Sequence, residues 1–161
     1  MSTRSTAPER TPQLTDVPEE IRRSRPLVDV PVDVKVALSG LWVAMLFVFA
    51  YVDIFGFWRA DVINGALAKQ VPQTGFTIDQ TFLALTTVYI LVPSLMVVVS
   101  LLTPARINRW ANVVVSVLYL VSVAVSMVGE TWAYYLLGSV VEVLLLGVIA
   151  TYAWRWPRHG A

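Results

Sequence analysis

From residue 34 onward the chain alternates long apolar runs with short polar breaks. The runs cover residues 34–57, 78–102, 104–128 and 132–155. A bilayer core of roughly 30 Å is crossed by about 20 apolar helical residues, so each run is long enough to span it. The pattern predicts an all-α, polytopic membrane protein built as a four-transmembrane-helix bundle. The last run is flanked by Trp132, Tyr134 and Tyr135 at one end and Trp154, Arg155 and Trp156 at the other. Between these ends Glu142 is the only ionisable side chain apart from Tyr152. It falls near the expected midplane, where a carboxyl is costly and marks a candidate functional position.

The polar breaks carry helix punctuation. Asp33, after Pro31, is placed to cap the first helix. Gly40 and Ala44 form a small-xxx-small pair suited to close helix approach, as do Ser122 and Ser126. Residues 59–77 make the longest connection, with a short helix expected over 61–69 and a turn at Gln73-Thr74-Gly75. Thr77 and Gln80 match a capping box for the second span. Pro93 lies inside that span; a local kink is expected, with a neighbouring helix serving the carbonyl that proline frees. Thr103-Pro104 reads as cap and first residue of the third helix. Gly129 suits the end of that helix, and Thr131 the start of the fourth.

Residues 1–33 are polar and carry mixed charge with no apolar period, so a disordered tail is expected there. It lacks the short charged region and cleavage site of a signal peptide. Residues 158–161 form a short C-terminal tail.

Composition supports lipid as the solvent. The chain is 57% hydrophobic and 14% charged, with a mean hydropathy of +0.66, against about 25% charged in soluble domains. The net charge of +1 and the lack of a basic patch interleaved with aromatics argue against nucleic acid. There is no cysteine, which excludes disulfides and iron–sulfur ligation. His159 is the only histidine, so one chain cannot supply two histidine ligands to a haem or build a histidine metal cluster. No metal site and no cofactor is expected.

Charge also predicts orientation. Arg4, Arg10, Arg22, Arg23, Arg25, Lys35, Arg106, Arg109, Arg155 and Arg158 fall on one side of a four-span topology, and only Arg59 and Lys69 on the other. Both termini are therefore expected in the cytoplasm of a bacterial cell, with the protein multi-pass in the inner membrane. Most of the six tryptophans, Trp42 among them, are expected in interfacial belts.

Tyr135, Ser139 and Glu142 are spaced four and three residues apart and share one helix face, which should turn inward. Three roles are open for Glu142: hydrogen-bonding glue, proton carrier, or counter-charge for a cationic ligand. Tyr51 and Asp53 close the first span. Asp53 is either an interfacial partner of Arg59 or of a backbone amide, or the mouth of a polar cavity leading to Glu142. Asn108, Arg109 and Asn112 are expected at the cytoplasmic interface, in contact with headgroups and in inter-helix hydrogen bonds. No catalytic residue is assigned, since no nucleophile–base pair or phosphate loop is visible.

Several segments resemble one family. They are Tyr51-Val52-Asp53-Ile54, Asn108-Arg109-Trp110-Ala111-Asn112, Tyr134-Tyr135 with Ser139 and Glu142, and Tyr152-Ala153-Trp154-Arg155-Trp156-Pro157. Together they resemble a bacterial family of small four-span integral membrane proteins of unknown function, over about residues 34–157. The resemblance implies four helices and a membrane location, and it brings no activity, cofactor or catalytic residue. A similarity to DoxX-type proteins is architectural only. The expectation is a non-enzymatic protein that binds a partner protein or a small hydrophobic ligand in or beside the bundle. The alternative is a small proton-coupled transporter using Glu142. The lipid bilayer is the expected partner in either case, and a homo-oligomer or a further membrane partner is left open.

Overall fold

The computed structural model describes residues 29–72 and 74–157; residues 1–28 of the expected disordered tail, Gln73 and the last four residues lie outside these. Its helices are α1 Val34–Gly56, α2 Ala60–Leu67, α3 Gln80–Leu102, α4 Ala105–Ser126 and α5 Ala133–Trp154. All but α2 are long and apolar enough to cross a membrane. They run up and down in sequence. α1 packs on α3 and α5, and α4 packs on α5 and α3, which closes a four-helix bundle.

The distribution of side chains is inverted relative to a soluble bundle. Large apolar residues such as Leu85, Leu95, Leu118, Val121, Leu137 and Leu144 point outward. Ser100, Asn108, Asn112, Ser116, Ser139 and Glu142 are buried among Leu38, Trp42, Met45, Leu146 and Ile149. Hydrocarbon cannot satisfy polar groups, so they turn inward while the apolar surface faces lipid.

Punctuation follows local hydrogen bonding. Asp33 caps α1, its side chain accepting from Lys35 N at 2.8 Å. At α3 the expected Thr77–Gln80 box does not form. Thr77 is tied into a small antiparallel bridge with Gln70, and Asp79 takes the cap by accepting from Phe82 N at 2.7 Å. Thr103 serves the helix it ends rather than the one it precedes, its hydroxyl donating to Val99 O. Pro104 accordingly sits at the cap position of α4, not inside it. Thr131 does not cap α5; the Glu130 carboxylate instead accepts from Thr131 N and Trp132 N, at 2.8 and 3.0 Å. Gly129, at φ +84°, supplies the left-handed residue that turns the chain there.

One close-packing expectation is corrected. Gly40 and Ala44 face outward, and nothing lies within 4 Å of a Cβ built at Gly40. The tight approach is elsewhere: a Cβ at Gly138 would overlap the Val52 side chain, so glycine lets α5 close on α1. Helix α3 continues past Pro93. Proline has no N–H, so the carbonyl of Tyr89, four residues earlier, loses its helical donor. The Tyr119 hydroxyl from α4 donates to that carbonyl. A neighbouring helix thus completes the hydrogen bonding that proline removes.

Candidate functional site

Polar groups form three layers within the bundle. The first lies toward the end that carries the termini. The Asn112 side-chain oxygen accepts from Trp42 Nε1 at 2.7 Å and from Ser100 Oγ at 3.1 Å. Its amide nitrogen donates to Asn108 O and Oδ1, at 2.9 and 2.7 Å. Asn108 Nδ2 donates to Ser100 O at 2.6 Å, and Ser116 Oγ to Asn112 O at 2.6 Å. Helices α1, α3 and α4 are joined by side chains that are wholly buried. Asn108 and Asn112 are therefore buried in the bundle, where they make the expected inter-helix hydrogen bonds, and Trp42 is a core donor rather than part of a belt. Arg109 does lie at the bundle's edge. Its guanidinium carbon is 5.1 Å from the Trp154 ring centre and 5.8 Å from that of Trp110.

The second layer is at mid-depth. Glu142 is nine residues into α5, roughly 13 Å along its axis, and only 2% exposed. Its Oε1 is buried and has no hydrogen-bond partner among the described residues. Ser139 is buried one turn away. The rings of Tyr89 and Tyr119 stack with centres 4.7 Å apart, and the Tyr89 hydroxyl is 2.9 Å from Ser122 Oγ. Ser122 and Ser126 thus serve as polar partners for tyrosines. Tyr135 is half-buried and donates to Ser126 Oγ at 3.0 Å.

The third layer is a chamber of about 590 Å³ at the α2 end. Val52, Asp53 and Gly56 of α1 form one wall, Val125 and Ser126 of α4 another, and Tyr134 and Tyr135 of α5 a third. Val62 of α2 and the turn at Val71 and Pro72 cover it. That cover is held by Val71 N to Phe76 O and Ile78 N to Lys69 O, at 2.9 and 2.8 Å. Tyr51 is not part of it. Tyr51 lies on the outer surface against Phe55, in an apolar groove between α1 and α5.

Arg59 anchors the chamber's rim, and Asp53 is not its partner. Arg59 donates to both Asp61 oxygens, at 3.1 and 2.7 Å, and to Glu130 Oε2 at 3.0 Å. Its guanidinium also lies 4.7 Å from the Trp132 ring centre. The junction of α1 and α2 is thereby pinned to the α4–α5 turn. Hydrogen bonding from Arg59 holds the Asp61 carboxyl below its ordinary range. Burial pushes Glu130 up, but the Trp132 and Thr131 amides and Arg59 outweigh it and hold Glu130 low as well. Asp61 pushes the Arg59 guanidinium above its already high value.

Carboxyls lowered in the folded state stabilise it above their unfolded values, about 4. That contribution is lost as pH falls through the folded values. The melting temperature in nanodiscs should therefore hold from neutral pH to about 5 and fall below it. Arg59→Gln should lower the neutral-pH melting temperature and flatten the acid limb. An unchanged acid limb in that variant would show that other carboxyls carry the effect.

A bundle with apolar exterior, buried polar layers and four membrane-length helices defines an integral membrane protein of the four-span, all-α class. Within that class the chain belongs to DUF6326, a family of unknown function whose model matches residues 29–160. No curated protein and no solved structure matches the chain.

Proposed function

We propose that this is a non-enzymatic membrane protein that binds a small, largely apolar ligand in the chamber at the α2 end. The chamber itself carries the proposal. Small-molecule sites are concavities of about 300–1,000 Å³ with apolar walls and a few placed polar groups. Here valines from α1, α2, α4 and the turn supply the walls, and Asp53, Ser126 and the two tyrosines supply the polar groups. A panel of small aromatic and alkyl amphiphiles should contain members that raise the melting temperature in nanodiscs. Val62→Trp, which fills the chamber, should abolish those shifts. Equal shifts in the native and Val62→Trp proteins would place binding elsewhere and end this reading.

One observation favours proton-coupled transport as the second reading: the buried, unpartnered Oε1 of Glu142. In both readings the protein sits in the cell membrane with its termini cytoplasmic and the chamber facing out, because positive charge concentrates at the terminal end. A cysteine at Phe76, 63% exposed on the α2-end turn, should label from outside intact cells. Labelling that requires permeabilisation would reverse the orientation.

A further inference from the structure

The chamber is out of charge balance in one direction. The cation on its rim, Arg59, is fully engaged. Asp61 takes its Nε and one terminal nitrogen, Glu130 takes the other, and one face lies over Trp132. Two carboxylates share that single guanidinium. Asp53 adds a third carboxylate on the chamber wall, with no hydrogen bond or ion pair among the described residues. Of the residues that line the chamber, Asp53 and Glu130 are acidic and Arg59 is basic, which leaves a formal charge of −1, and Asp61 outside the lining draws on the same guanidinium. A concave site with low-dielectric walls concentrates such a field.

The aromatic side chains point the same way. Tyr134 and Tyr135 line the chamber, their ring centres 6.5 Å apart and nearly perpendicular. Tyrosine faces attract cations, most strongly where water is displaced. A bare metal ion asks for about six oxygen ligands. This chamber offers one free carboxylate, and the Ser126 and Tyr135 hydroxyls are already bonded to each other. The remaining wall is largely valine, which suits a cation carrying its own apolar body. An anion meets the wrong field, and a neutral apolar molecule leaves Asp53 without a partner.

We propose that the chamber selects an organic cation, an ammonium group on a small apolar body, with Asp53 as counter-charge and Tyr134 and Tyr135 against its face. This rests on the chamber being the ligand site, and the test separates the two claims. The probes are benzyltrimethylammonium, its neutral isostere neopentylbenzene, and benzenesulfonate. Binding is followed by tryptophan fluorescence in phosphatidylcholine nanodiscs, where no anionic lipid adsorbs the cation. The native protein should bind the ammonium about tenfold or more tightly than the neutral isostere, and benzenesulfonate most weakly. Asp53→Asn should remove the preference, Asp53→Glu should keep it, and Val62→Trp should abolish binding of all three. Native protein that binds the isostere as tightly as the ammonium, with both lost in Val62→Trp, overturns the cation assignment and leaves the chamber reading standing. No binding of any probe, or binding that Val62→Trp leaves intact, overturns both. The comparison of probes on the native protein needs no variant, so a misfolded Asp53→Asn protein cannot mask the result.

Discussion

Asn112→Leu is expected to lower bundle stability by roughly 2 kcal/mol, a large loss for a change of similar size inside the bundle. Membrane hydrogen bonds average only about 0.6 kcal/mol each, because the separated helices also find partners. Asn112 is different in number and in burial. One amide serves Trp42, Ser100 and Asn108 on three helices, and each of those side chains is wholly buried. Leucine would leave the indole N–H of Trp42 and the Asn108 side-chain oxygen without partners where water cannot reach them. Each buried orphan costs about 1–3 kcal/mol, so two of them decide the magnitude even after discounting for the membrane reference state. Trp42→Phe removes the indole donor and leaves Asn112 with its Ser100 bond, so it should cost about half as much. Unfolding in mixed micelles, followed by far-ultraviolet circular dichroism, measures both. A change of under about 0.5 kcal/mol for Asn112→Leu would mean the network contributes geometry and little energy.

The four-span architecture was legible because it rests on length and hydropathy, which need no tertiary information. Pro93 was legible in the same way: its missing N–H demands a donor from outside the helix, although nothing local says that Tyr119 provides it. Trp42 misled because tryptophan in a membrane chain is usually interfacial. Depth was the overlooked signal. Trp42 is eight residues into α1 and Asn112 seven into α4, and these helices run parallel, so the two fall at the same level. The same depth argument puts Asn112 about 10 Å inside the helix start, deeper than a headgroup contact. Thr77 misled for a different reason. Its spacing to Gln80 fits a capping box, but bridge pairing with Gln70 claims it first. The chamber could not be read at all. It exists because the turn after α2 folds back over the ends of three helices, and it is bounded by an Arg59–Glu130 pairing between residues 71 positions apart. Glu142 could be singled out from its neighbours' polarity alone, and its burial follows from lipid; its lack of a partner does not.

Glu142 is where replacing the charge should matter most and replacing the shape least. Glu142→Lys should destroy insertion or folding, since an ammonium near the bilayer centre costs roughly 3 kcal/mol on insertion scales. The described residues offer it no carboxylate at hydrogen-bonding distance, and Asp53 is about two turns shallower on α1. Glu142→Gln is the informative change. Glutamine keeps the volume and a carbonyl acceptor, and cannot take up or release a proton near neutral pH. The carboxyl oxygen Oε1 makes no hydrogen bond to lose. Melting of the Gln variant in nanodiscs should therefore stay within about 0.6 kcal/mol of the native protein. A ligand-binding bundle also predicts no difference between the two in proton leak across proteoliposomes. Proton flux that is present in the native protein and missing from a normally melting Glu142→Gln variant would displace ligand binding as the leading reading and establish the carboxyl as a proton carrier.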